Sequence, residues 1–258
     1  MSIYQELENM KISSDLKNNE RVLKEVFKDV NDIIFRNMKV GQHKKLKILL
    51  FYVDGLTTKD SISEYAVQTL MESVDLETLE NKNANKLQEE ILQTNIAITE
   101  LGTLEKLQDC VDKALVGETI LFIDTCPHAI WLSSRGWQLR GIQEPAAETL
   151  IRGARDGFIE TMKINITLIR RRIRDPRLKI KYMQVGTRSK TDVALLYIED
   201  VVNKTVLEEV EKRIKKIDIE AVLESSYIEE LIEDDTYSPF PQVENTERPD
   251  AAASALLE

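Results

Sequence analysis

Two carboxylates stand at the ends of apolar runs, Asp54 after Leu46–Val53 and Glu199 after Asp192–Ile198. Open α/β sheets place ligands at strand ends of this kind, so a groove carrying Asp54 and Glu199 suits a cation or an amine. The same carboxylates can instead accept from the first backbone N–H groups of following helices. Thr125-Cys126-Pro127-His128 sets a thiol two residues from an imidazole. A nucleophile there needs a depressed pKa and an orienting third group. A metal site needs two more ligands. His43 and His128 are the only histidines, so neither set can be assembled from strong ligands, and the tetrapeptide reads as a hairpin tip. Gly153-Ala154-Arg155-Asp156-Gly157 suits an anion at a helix start or a sharp turn between two helices. No G-x-x-x-x-G-K-[ST] or G-x-G-x-x-G loop occurs, and no cofactor or metal is called for. The most unusual charges are Arg152, Arg155, Arg170 and Arg172, set against Glu144, Glu148 and Glu160. Exposed ion pairs contribute only about 0–1 kcal/mol each. These residues are therefore expected to combine an internal ion-pair network with a subunit interface.

The elements that must hold these residues follow from periodicity. Phe158, Met162, Ile166, Ile169 and Ile173 recur three or four apart. They predict an amphipathic helix over Asp156–Ile173, capped by Asp156, with arginines in the last turn where the dipole favours positive charge. The segment around Phe35–Ile62 lies over Ile180–Leu207 without gaps: Met38 on Met183, Gly41 on Gly186, Tyr52 on Tyr197. We read an internal duplication. Each copy is helix, strand, short loop, strand, helix, with strands Asp32–Val40 and Leu46–Asp54, then Leu178–Val185 and Asp192–Glu199. The helices are Glu20–Val30 and Thr57–Met71 in the first copy, and Asp156–Ile173 and Lys204–Ile217 in the second. A further helix is expected over Ile219–Ile232. Leu101, Leu104, Leu107, Val111 and Leu115 are at helical spacing. Thr119–Asp124 and Ala129–Ser133 form a hairpin assigned to the second copy.

The fold class expected is α/β: two related subdomains from an internal duplication, each a small mixed sheet flanked by helices, the second with the extra β-hairpin. The divisions are 1–82, 83–233 and a Pro-containing linker over 234–258. Hydrophobic residues make up 42% and charged residues 31% of 258, enough for a packed core. A net charge of −10 argues against a nucleic-acid surface. Cys110 and Cys126 are the only cysteines and the opening residues lack a signal pattern, which predicts a reducing compartment and free thiols. The apolar run Ile48–Val53 is far shorter than the roughly twenty residues of a bilayer span.

The stretch Arg140–Asp175 carries one more signal. E-P-x-x-E (Glu144, Pro145, Glu148) is followed by I-R-G-x-R-x-G-F-x-E (Ile151, Arg152, Gly153, Arg155, Gly157, Phe158, Glu160), then N-x-x-L-I-R-x-R-I (Asn165, Leu168, Ile169, Arg170, Arg172, Ile173). This resembles the signature of GerA-type spore germination proteins, the A subunits of nutrient germinant receptors, and the resemblance runs in register over most of the chain. Ala154 stands where many relatives have proline, which affects only the local turn. The resemblance implies the N-terminal domain of a membrane subunit, with a linker leading into membrane-spanning helices. It implies partnership with a transporter-like B subunit and a lipoprotein C subunit, self-association of A subunits, and no nucleic acid. It places the whole protein in the spore inner membrane, this domain facing the spore core. The expected role is non-enzymatic, in receptor assembly and signal transmission. The alternative is a soluble small-molecule-binding protein or enzyme using Asp54 and Glu199.

Overall fold

A run as apolar as Leu46–Val53 is stable only as a strand covered on both faces. The computed structural model describes residues 3–40, 46–58, 100–136, 156–235, 237–238 and 240–258. In it β1 (Ile33–Val40) and β2 (Leu46–Val53) pair antiparallel, with Ile33 opposite Val53. Ile48, Leu49, Leu50 and Phe51 of β2 are all buried. The other edge of β2 pairs with β4 (Thr119–Ile123), Leu50 opposite Leu121. β5 (Ala129–Leu132) and β3 (Leu101–Leu104) complete a sheet of order β1-β2-β4-β5-β3. The helices α1 (Ile3–Leu7), α2 (Leu16–Val26) and α3 (Leu107–Leu115) supply Leu7, Leu23, Val26 and Val111 to the core on one face. Phe51 anchors that core, stacked on Phe35 at 5.3 Å and tilted against Phe27 at 5.5 Å.

Several expectations shift here. The hairpin β4–β5 belongs to the first sheet, where β4 pairs with the edge of β2 that β1 leaves open and makes β2 an inner strand. Among the described residues every strand pairing is antiparallel, so neither sheet is mixed there. Leu101 and Leu104 lie in β3, where pairing with β5 decides the conformation over the helical spacing. The first helix starts at Leu16, one turn before the expected Glu20, because Asp15 caps it by accepting from the Lys17 N–H. By its contacts the chain divides into Met1–Gln138 with Arg174–Pro176, and Leu139–Ile173 with Arg177–Glu258. The first unit thus runs past the expected division after residue 82, carried there by β3, α3, β4 and β5. The expected boundary at 81–85, the helix Thr57–Met71 beyond its first residues, and the turn holding His43 lie outside the described residues.

The second unit is a hairpin between helices. β6 (Leu178–Val185) and β7 (Thr191–Ile198) pair antiparallel. One face, carrying Leu178, Ile180 and Ile198, packs on α4 (Met162–Arg172) and α7 (Pro249–Leu257). The other face carries Met183, Val185 and Val193 against Val210 and Ile214 of α5 (Lys204–Lys216) and Ile228 of α6 (Ser225–Ile232). The stripe expected on the helix from Phe158 is the one that packs in this core. From Asp234 to Arg248 the described residues form no helix or strand, and Pro249 then opens α7.

The two hairpins share one register. Every β1–β2 partner pair maps onto a β6–β7 pair at a single offset of 145 residues: Ile33↔Val53 onto Leu178↔Ile198, Ile34↔Tyr52 onto Lys179↔Tyr197. The backbone bond Asp54 N–H to Asp32 O (2.7 Å) has its counterpart in Glu199 N–H to Arg177 O (3.0 Å). Ahead of α2, the Asn19 amide accepts from Ser13 N–H (2.9 Å) and donates to Ser13 O (2.7 Å). Asn165 makes the same clasp on Ile159 ahead of α4. That clasp extends the duplication to the helix entries, one residue out of step with the strands.

Candidate functional site

The arginine-rich end of α4 is built inward. Arg170 is fully buried, at 0% exposure, with its guanidinium donating to Leu178 O at 3.4 Å. Burying a guanidinium is costly unless its donors are met. Arg172 Nη2 donates to both carboxylate oxygens of Asp156 at 2.8 Å, and its Nη1 donates to Leu168 O at 2.9 Å. Donation from a guanidinium to a carboxylate is charge-assisted. Asp156, expected to cap the helix, is therefore the arginine's partner; Thr161 occupies the N-cap position without a side-chain bond. Glu160 is exposed and forms no ion pair with the described residues. Glu144, Glu148, Arg152 and Arg155 lie outside the described residues.

Beside α4 lies a groove of about 820 Å³. Its walls are Phe158, Met162, Ile166 and Ile169 from α4 and its entry, Val193, Ala194 and Leu196 from β7, and Ala251, Ala252 and Ala255 from α7. The alanines leave space that larger side chains would fill. Glu160, Asp192, Glu224 and Glu244 also line it, all four exposed, and among the described residues no Lys, Arg or His does. A concave apolar surface of this volume, with a few polar groups at its edge, has the form of a binding site. Four elements distant in sequence build it, so no local spacing announces it.

The strand-end carboxylates sit elsewhere. Asp54 follows β2, half-buried, and bridges to Thr57. Glu199 follows β7, exposed, and faces the ammonium of buried Lys179 at 3.3 Å. Neither caps the helix expected for it where the structure describes one: α5 is capped by Asn203, whose Oδ1 accepts from Thr205 and Val206. The two copies do share a row of side chains. Burial raises the Tyr52 hydroxyl pKa, with the Arg36 charge opposing and the Asp54 charge adding to it. At the equivalent places Lys181 lies 5.3 Å over the Tyr197 ring and Glu199 ends the strand. Lys181 is held in turn by Glu211 of α5 at 2.6 Å.

The hairpin tip Thr125–His128 forms as expected. Thr125 takes φ 71°, and its N–H bonds to Ser14 O at 2.9 Å. Burial pushes the Cys126 thiol up, only partly offset by a backbone bond from His128. This is the opposite of what a thiolate nucleophile requires. His128 Nδ1 is buried without a hydrogen-bond partner among the described residues. Cys110 and Cys126 are buried and form no disulfide with each other. No group of three or more His, Cys, Asp or Glu is placed to hold a metal among the described residues.

Residues 21–258 match the family model described as Bacillus/Clostridium GerA spore germination protein. The chain belongs to this family. Among curated relatives it is 38% identical over 247 residues to "Uncharacterized membrane protein YfkQ" of Bacillus subtilis (strain 168), covering 96% of this chain and 46% of that protein. It is 34% identical to "Spore germination protein KA" of the same organism, covering 96% and 44%. The chain therefore spans about half the length of the relatives it matches. Among solved structures it is similar to the N-terminal domain of the A subunit of the Bacillus megaterium spore germinant receptor GerK3. That match has a TM-score of 0.73 at 31% identity and covers 96% of this chain and 89% of that one. The resemblance read from Arg140–Asp175 thus identified the family. Among the described residues of this GerA-family chain, no helix is long and apolar enough to cross a membrane.

Proposed function

We propose that this chain is the N-terminal domain of a germinant receptor A subunit and serves spore germination through receptor assembly and signal transmission, without catalysis of its own. The observation that carries the reading is the likeness to the GerK3 A-subunit N-terminal domain, which extends over nearly the whole of both chains. The raised Cys126 thiol and the Glu199–Lys179 pair support a scaffold more than a reactive centre. A duplicated α/β core with a buried arginine and the half-buried Arg172–Asp156 ion pair presents a fixed surface, as an assembly platform requires. Its partners in this reading are the receptor's B and C subunits and other A subunits. Its place is the spore inner membrane, on the core side, held there by a membrane domain of the A subunit. In this reading Glu144, Glu148, Arg152, Arg155 and Glu160 serve the contact with neighbouring subunits, while buried Arg170 and the Arg172–Asp156 pair hold the end of α4. Affinity purification of a tagged full-length A subunit from spore membranes tests this. B and C subunits should co-purify with the intact protein and be lost when residues 1–258 are removed. Undiminished recovery after removal overturns the assembly role.

A further inference from the structure

The two copies of the duplicated unit differ in one consequential way. In the first, the outer edge of β2 is filled: Ile48, Leu49, Leu50 and Phe51 pair with Ile123, Phe122, Leu121 and Ile120 of β4. At the offset that relates the hairpins, that edge corresponds to Val193–Leu196 of β7. β7 has β6 as its one strand partner among the described residues, and the second sheet ends there. The groove of about 820 Å³ opens along this same edge, with Val193, Ala194 and Leu196 in its wall. An unpaired strand edge presents a row of N–H and C=O groups, a template for another strand. Strand addition draws affinity from those groups and specificity from pockets for alternate side chains.

We propose that the β7 edge and its groove form a docking site for an extended segment of a partner chain, which takes the place that β4 holds in the first unit. The chemistry of that segment follows from the walls. Its central residues are apolar, like Thr119–Ile123, which are wholly buried in β4. It pairs antiparallel with β7, as β4 does with β2. Its flanks carry lysine or arginine, because Glu160, Asp192, Glu224 and Glu244 line the groove with no basic side chain beside them among the described residues. Complementary rim charge of this kind sets the on-rate and salt dependence of docking. The site lies within one unit and does not depend on the receptor assignment.

The probe is a fluorescent peptide of sequence TILFI flanked by two lysines at each end, titrated into the chain of residues 1–258 by anisotropy. Binding is expected, weakening at least tenfold when alternate peptide amides are N-methylated, when the flanks are glutamate, and in Glu224→Lys/Glu244→Lys. Ala255→Trp, at an exposed lining position of α7, should obstruct the groove and also weaken binding tenfold with unchanged circular dichroism. Amide exchange at Val193–Leu196 should slow on binding. Four results overturn the proposal: no binding, equal binding of the N-methylated peptide, equal binding of the glutamate-flanked peptide, or slowed exchange elsewhere only. Binding of octylamine at the groove without the peptide would give it to a small apolar amine instead. Dimerisation of the chain alone, abolished by Ala255→Trp, would give it to a second copy, and either result also overturns it.

Discussion

Removing the Asn19 amide is the sharpest perturbation of the repeated core. Asn19 is 2% exposed, and its side chain meets both polar groups of the Ser13 peptide at 2.9 and 2.7 Å. Asn19→Ala removes a donor and an acceptor at once, leaving the N–H and C=O of Ser13 short of partners. An orphaned buried group costs about 1–3 kcal/mol. Ser13 itself is half-exposed, so water recovers part of the loss, and we expect destabilisation of about 2–3 kcal/mol. Asn165→Ala breaks the equivalent clasp on Ile159 at a half-exposed site, for about 1 kcal/mol. Urea unfolding followed by circular dichroism gives both numbers, provided the two units are fitted as separate transitions. Amide exchange at Ser13 and Ile159 localises the effect to each clasp. An Asn19→Ala variant within about 0.5 kcal/mol of the parent would refute the reasoning. So would Asn165→Ala proving the costlier change.

The pair between Arg172 and Asp156 is half-buried, with Nη2 donating to both carboxylate oxygens. A double-mutant cycle with Arg172→Ala and Asp156→Ala should return a coupling of about 1–2 kcal/mol, and one near zero would make the pair incidental. The bond from Lys181 holds the Glu211 carboxyl below its ordinary 4.5, against an opposing effect of burial. A depressed carboxyl contributes stability that is fully present above its unfolded value and lost as pH falls through its folded value. Burial lowers the Lys181 pKa, but bonds to Glu211 and Tyr197 more than offset this and raise it above 10.5. Its contribution is therefore present below 10.5 and lost as pH rises through the folded value. Glu211→Gln should flatten the acid limb of the stability–pH curve below about 4.5; an unchanged acid limb contradicts the assignment.

The hairpins were legible because strand periodicity and apolar runs are local, and because Met38, Gly41 and Tyr52 repeat in register at Met183, Gly186 and Tyr197. That offset predicted a shared register, and the pairing bears it out. The partner of an edge is a long-range property. Nothing near Thr119 says that β4 adds to β2, so the local sequence defines the hairpin but not the sheet it joins. Asp156 has the composition of a helix cap, and only the folded chain brings Arg172 back sixteen residues to meet it. The Asn19 and Asn165 clasps escaped notice because they repeat one residue out of step with the strands. The groove is assembled from α4, β7, α7 and the start of α6, and its defining features are the alanines that leave space. A residue's smallness carries no local signal of what it makes room for.

The central claim is that this GerA-family chain acts in germination as a part of a receptor. Spores whose A-subunit gene carries an in-frame deletion of residues 1–258 test it most directly. Their loss of optical density is recorded after addition of the nutrient mixture that triggers the parent strain. The account predicts that this response is abolished, and that it returns when the intact subunit is supplied from a second locus. Germination at the parental rate by spores whose only nutrient receptor carries the deletion would contradict it.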